Sequence, residues 1–263
     1  MCLIVLAYRY HTQLPLVIAA NRDEFHARPT RQARFWRGEA PQRELLAGQD
    51  LTQGGTWLGL SRRGRFAAVT NIRMPGNSTG SRSRGFLTRD FLLGKATPAD
   101  YLASLLGVLE DYAGFNLLAG DANELCYLNS RRGEVVKLQP GIYGLSNGAL
   151  DSDWPKVHRS KAALKELLGR ESPISTDRLT AIMLDRNRAP DDQLPDTGFP
   201  IELERNLSPS FIVNPQRDYG TRCTTAVIIN QQGTARFSEQ NYAADTCITA
   251  RRLFHFPLQV SQF

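Results

Sequence analysis

The chain has 263 residues, of which 41% are hydrophobic and 22% charged, and its formal net charge is +6. That length allows a substantial buried core, and the composition is that of a soluble globular protein rather than a fibrous or disordered one. The positive excess is almost all arginine, lysine occurring only at Lys95, Lys137, Lys156, Lys161 and Lys165. No basic block or interleaved aromatic platform marks a nucleic-acid surface.

The strands and helices can be taken in chain order. CLIVLAY (2–8) and PLVIAA (15–20) are apolar runs separated by His11-Thr12-Gln13, which predicts a hairpin whose first strand starts at Cys2. CLIVLA is too short for a signal peptide and lacks a basic flank. Two more strands, 56–61 and 65–71, join at Arg62-Arg63-Gly64, and the Gly/Ser/Asn run 74–85 reads as a long loop. Thr97 as cap, with Pro98 at the first helical position, predicts a helix running through YLASLLGVLEDY. Three strands follow between 114 and 138, then a short one at 142–145 ending in Ser146-Asn147-Gly148. Helices are predicted for PKVHRSKAALKELLG and, capped by Ser175, for STDRLTAIMLD. The Pro- and Asp-containing stretch 186–200 reads as a loop, and CTTAVIIN with ARFSEQNY forms a last hairpin. Hairpins dominate and no βαβ alternation occurs, so the expected class is α+β with antiparallel sheets covered by helices, in one domain over 1–263.

No apolar run approaches the ~20 residues of a membrane span, so stable membrane insertion is not expected. The cysteines, Cys2, Cys126, Cys223 and Cys247, form no CxxC or Cys/His spacing. Neither a metal site nor a disulfide scaffold is expected, no cofactor is implied, and a reducing, cytoplasmic setting fits best. Oligomeric state leaves no mark in the sequence.

Cys2 carries the most specific chemistry. Initiator methionine is commonly removed before a small residue; Cys2 would then hold a thiol and a free α-amine together. Such an amine has a reference pKa of about 7.7–8.0, so it can serve as base for the sulfur in acyl transfer. A hairpin turn near 10–14 brings Asn21-Arg22-Asp23-Glu24 back beside Cys2. Arg22 could then favour thiolate, with Asp23 or Glu24 holding the ammonium or orienting Arg22. Asn71 and Asn147 each end a strand, and their amides are candidate oxyanion donors. The plainer reading makes Cys2 a small buried hydrophobe and the polar run a solvated turn.

Met1-Cys2, Asn21-Arg22-Asp23-Glu24-Phe25, Ala27-Arg28-Pro29, Phe35-Trp36, Gly54-Gly55-Thr56-Trp57-Leu58-Gly59, Ala68-Val69-Thr70-Asn71 with Arg73, Gly144-Leu145-Ser146-Asn147 and Gly220-Thr221-Arg222 occur in that order. On these residues the chain resembles the NRDE family, also called the transport and Golgi organisation protein 2 family. The resemblance implies an N-terminal nucleophile hydrolase-like fold, a four-layer αββα sandwich similar to cysteine acylases of the penicillin V acylase and bile salt hydrolase kind. It implies Cys2 as nucleophile, assisted by Arg22, Asp23, Asn71 and Asn147, with Arg222 matching a later arginine. Those acylases have two residues between the Arg and the Asp, where Asp23 here adjoins Arg22. The family is linked to secretory organisation, lipid metabolism and haem trafficking.

The expected substrate-binding set is Asn21, Glu24, Trp57, Arg73 and Arg222, joined by Arg28. Clustered guanidinium groups favour carboxylate or phosphate, and apolar strands with Trp57 favour an attached acyl chain or macrocycle. A small anionic amphiphile satisfies both. The alternative function is a non-catalytic carrier of haem or an acyl lipid in the same pocket, with His26, His158, His255, Met74 and the cysteines as possible axial ligands. A structural protein with a decayed site is the third reading.

Overall fold

A computed structural model describes residues 2–36, 44–76 and 80–259. Met1, whose removal the N-terminal mechanism needs, and positions 77–79 of the expected 74–85 loop lie outside the described residues.

The strands, in chain order, are β1 (Cys2–His11), β2 (Leu14–Phe25), β3 (Thr30–Trp36), β4 (Leu45–Asp50), β5 (Leu58–Ser61), β6 (Phe66–Asn71), β7 (Phe115–Gly120), β8 (Leu125–Asn129), β9 (Glu134–Lys137), β10 (Gly141–Leu145), β11 (Val213–Asn214), β12 (Tyr219–Ile229), β13 (Thr234–Tyr242) and β14 (Ile248–Pro257). The helices are α1 (Arg84–Leu93), α2 (Pro98–Ser104), α3 (Pro155–Leu168), α4 (Thr176–Ala181) and α5 (Ile201–Leu207). One sheet has the order β10-β1-β2-β12-β13-β14 with β11 on β12; the other runs β3 to β9 in sequence. Every pairing between them is antiparallel.

Alternation along the strands explains the stacking. Ile4, Leu6, Ile18, Ala20 and Val227 meet Leu46, Leu60, Phe66, Ala68 and Leu118 between the sheets. The intervening residues Leu3, Val5, Val17, Ala19 and Ala226 face the other way and pack on Val157, Leu164 and Leu168 of α3 and Leu179 of α4. Beyond the second sheet, Ala67, Leu117 and Ala119 pack on Leu87, Phe91 and Leu92 of α1 and Leu102 of α2. The result is the expected αββα sandwich. Both sheets are buried on both faces, which is why their central strands read as continuous apolar runs.

Caps fall where the sequence puts them. Thr97 accepts from the Asp100 N–H and Ser175 from that of Arg178. Several boundaries differ, among them the end of α4, at Ala181 rather than Asp185. The helix from Pro98 stops at Ser104 and continues as a 3₁₀ turn over Leu106–Asp111, with non-helical Val108 inside it. The expected loop ends early, because Ser83 caps α1 and Arg84 is already helical. Among the described residues no helix is long and apolar enough to cross a membrane.

Candidate active site

The three central strands of the first sheet set the site. Arg22 on β2 lies opposite Cys2 of β1 on one side and Cys223 of β12 on the other. Residues directly opposite share a face. Two-residue steps from Ile4 and Ala20 place Cys2 and Arg22 on the face between the sheets, at the strand ends. Asp23 takes the other face, where it lies opposite Thr221 and accepts its hydroxyl proton at 2.8 Å. Between Thr221 and Cys223 the register slips by one residue, and the extra residue is Arg222. A bulge of this kind re-aims a side chain: the Arg222 guanidinium donates to the carbonyls of Phe25 and Arg28 at 2.9 and 3.1 Å.

A cleft of about 640 Å³ opens here, lined by Cys2, Arg22, Asp23, Glu24, Trp57, Asn71, Arg73 and Arg222 among others. Asn147 stands directly behind this wall. Its amide donates to the Asn71 carbonyl at 2.9 Å, and its own carbonyl accepts the Arg73 N–H at 2.7 Å. The Asn147 side chain thus holds Asn71 rather than presenting itself to the cleft.

Asn21, expected in the substrate-binding set, does not line the cleft. Period-two alternation turns it to the helical face, where its amide donates to the carbonyls of Met183 and Ser210 at 2.8 Å each and accepts from the Thr224 hydroxyl. It is fully buried there and pins β2 to the segment after α4. Arg73 lines the cleft, but its guanidinium pairs with Glu204 of α5 at 2.8 Å and stacks over Trp154. Both side chains are nearly inaccessible, 5% and 2% exposed, so this charge is already matched.

Cys2 is 8% exposed, and its carbonyl accepts from the Ser146 hydroxyl at 3.0 Å. Burial pushes its thiol up to about 11, reinforced by the Asp23 carboxylate and opposed by the Arg22 guanidinium and the Asp23 backbone N–H. Burial also raises Asp23, against the pull of Lys156 and Thr221. Lys156, in the first turn of α3, is buried, donates to the Leu207 carbonyl at 2.9 Å and is held down to about 8, by burial and then by Arg73. A thiol, a carboxylate and two cations therefore share a poorly solvated region.

Around the mouth, Arg28 pairs with Asp50 at 2.7 Å and with Glu24 at 3.8 Å, and Arg22 approaches the same two carboxylates at 4.0 and 3.7 Å. Arg84 also lines the cleft, as does Cys223, and Arg84 is not visible as a site residue in the sequence. Ser83 followed by a helical apolar pattern was the available signal for Arg84. Of the candidate haem ligands, Met74 joins Cys2 and Cys223 at the cleft. His158 binds Asp153 on the exposed side of α3, and His255 lies on β14. Among the described residues no three His, Cys, Asp or Glu side chains gather as a metal site.

The fold and the sequence both have recognisable relatives. The chain resembles the solved structure of a Caenorhabditis elegans N-acylethanolamine-hydrolyzing acid amidase ortholog with a TM-score of 0.53 at 11% identity, over 86% of this chain and 92% of that one. It also resembles a mutant conjugated bile acid hydrolase from Clostridium perfringens, with a TM-score of 0.50 at 9% identity over 98% and 92%. At such identities the likeness establishes the fold, that of the N-terminal nucleophile hydrolases. In sequence, the Transport and Golgi organization protein 2 homolog of Bos taurus is 35% identical over 240 residues, 86% of each protein. The Homo sapiens homolog is 33% identical over 259 residues, 93% of each. The Transport and Golgi organisation 2 family model matches residues 1–244, and the chain belongs to that family.

Proposed function

We propose that the protein is a cysteine acyl hydrolase that cleaves an amide or thioester of a small anionic amphiphile, with Cys2 as nucleophile once Met1 is removed. The observation that carries this reading is the placement of Cys2. It opens β1 at the cleft, with Arg22 opposite it and the Asp23 N–H directed at its sulfur. The freed α-amine accepts the thiol proton and the thiolate attacks the acyl carbonyl. As the tetrahedral intermediate collapses, the C–N or C–S bond breaks, the ammonium returns its proton to the leaving atom, and a thioester to Cys2 remains. Water, deprotonated by the same amine, then releases the carboxylate and restores the thiol.

Arg22 offsets the burial that keeps the thiol protonated, and Asp23, at the strand position adjoining Arg22, holds the ammonium. The Asn71 side chain is the oxyanion donor, and the Asn147 amide holds the backbone carbonyl of Asn71. Both solved neighbours are named as hydrolases, which supports the reaction class. Arg22, Arg28 and Arg222 supply the positive mouth, and Trp57, Ile72, Met74 and Phe199 the apolar lining.

Hydrolysis of a decanoyl amide and a decanoyl thioester by Met1-free protein tests the proposal. Cys2→Ala abolishes turnover and the acyl adduct on the chain; turnover that survives in Cys2→Ala removes Cys2 from the mechanism.

A second reading has its own observation. With the thiol pushed up to about 11, Cys2 is protonated at neutral pH. In that state the cleft is a carrier for an acyl lipid or for haem, whose propionates would meet the arginines. Met1-free protein then binds decanoate without hydrolysing the decanoyl amide or thioester, and a Soret band on haem addition separates the two cargoes.

A further inference from the structure

The arginines of the cleft divide by what they already hold. Arg22 and Arg28 share Glu24 and Asp50, Arg73 is matched by Glu204, and Arg82 approaches Asp111 at 3.7 Å. Arg84 is different. It is half-buried, it lines the same cleft as Cys2, and among the described residues the one hydrogen bond of its side chain is a 3.3 Å donation to the Gly114 carbonyl. Among the described residues no carboxylate forms an ion pair with it. Burial weakens its hold on its proton, while the Glu24 carboxylate favours its charge, as a Cys2 thiolate would, and Arg28 opposes it. A guanidinium removed from water without a counter-ion is costly, and a ligand oxyanion offsets that cost through two parallel N–H···O bonds.

Its position is also fixed with unusual economy of space. Ser83 caps α1 by accepting the Gly85 N–H, and the Thr56 N–H donates to the Gly85 carbonyl at 3.1 Å. The two backbones run so close that a Cβ on Gly55 would lie 2.5 Å from the Gly85 carbonyl carbon. The glycines at 55 and 85 thus clamp the start of α1 against the strand entry that carries Thr56 and Trp57. Arg84, one residue before Gly85, has its backbone held by that clamp.

We infer that Arg84 is the specificity residue of the cleft: it binds the carboxylate or phosphate oxygens of the amphiphile's headgroup. This rests on the cleft being the ligand site proposed above, and it moves anion recognition from Arg73, whose charge is spent on Glu204, to a residue the family-like motifs do not contain.

The test measures affinity of the full chain for decanoate, decyl phosphate and uncharged decanol by calorimetry, in wild type, Arg84→Met, Arg84→Lys and Cys2→Ala. Loss of a charge-assisted bond predicts that Arg84→Met weakens decanoate or decyl phosphate about tenfold or more, while decanol changes less than about twofold. Arg84→Lys restores part of the loss, because it keeps the charge without the fork. The anion that suffers more from Arg84→Met identifies the headgroup. Equal weakening of the anions and decanol, as a misfolded cleft would give, overturns the inference. So does unchanged anion affinity, or failure of wild type to bind either anion. Turnover that survives in Cys2→Ala removes the hydrolase reading, whereas this inference stands or falls on the Arg84 affinities, so the two failures are separate.

Discussion

At the scale of single residues, the chemistry of the site is governed by what burial does to charge. Lys156 is the sharpest case. Its ammonium is enclosed and held down to about 8, against 10.5 in an unfolded chain. Between those values the unfolded chain binds a proton that the folded protein has released, so stability rises with pH. The contribution is complete above about 10.5 and is lost as pH falls through about 8. Urea unfolding of wild type and Lys156→Met across that window checks the sign: wild type gains stability relative to the variant as pH rises. A flat difference would mean that Lys156 keeps its proton when folded. Cys2 shifts the opposite way, and its reactivity at neutral pH depends on partners that a buried thiol does not have by itself.

At the scale of elements, the close approach of Gly55 and Gly85 is the joint on which the anion end of the cleft depends. Gly55→Ala sets a methyl group against the Gly85 backbone, an overpacking that costs about 1–3 kcal/mol. It is expected both to lower the urea midpoint and to weaken decanoate binding, because Arg84 moves with the start of α1. A Gly55→Ala protein with wild-type stability would show that the contact yields freely.

The same elements show what the sequence made legible. β1, β2, β5 to β8 and β12 are apolar runs bounded by turn residues, so their existence followed from periodicity, while β9 and β13 followed from the turns Arg131-Arg132-Gly133 and Gln231-Gln232-Gly233 before them. β3, TRQARFW, buries Ala33 but little else, and β14 is largely exposed, so neither presents a buried face to read. α1 was hidden because its cap continues a Gly/Ser-rich loop. Of the site, Cys2 and Arg22 were legible from hairpin geometry, since β1 and β2 pair them directly. Asn21 could not join them, because adjacent residues of a strand take opposite faces, and that much was deducible from the run itself. The Glu204 partner of Arg73 and the open guanidinium of Arg84 come from elements far apart in sequence, and no local pattern announces them.

At the scale of the whole molecule, two doubly covered sheets create the rigidity the cleft needs. The layer between them is the common foundation: Phe237, 1% exposed, packs there in edge-on contact with Phe254. Phe237→Ala is expected to cost about 3–5 kcal/mol in calorimetric or urea unfolding, with loss of a single cooperative transition as the sheets loosen. A cost below about 1 kcal/mol would place the stability elsewhere.

The central claim joins all three scales: a cysteine set at the head of the innermost hairpin becomes a nucleophile only as the first residue. Intact-mass analysis of the purified chain after brief alkylation at neutral pH, with the adduct mapped, tests it most directly. The account predicts that the alkylated species lack Met1 and carry the label on Cys2, while any chain retaining Met1 stays unlabelled there, its thiol being held near 11. A chain that keeps Met1 throughout, or a Met1-free chain whose Cys2 resists alkylation, would contradict it.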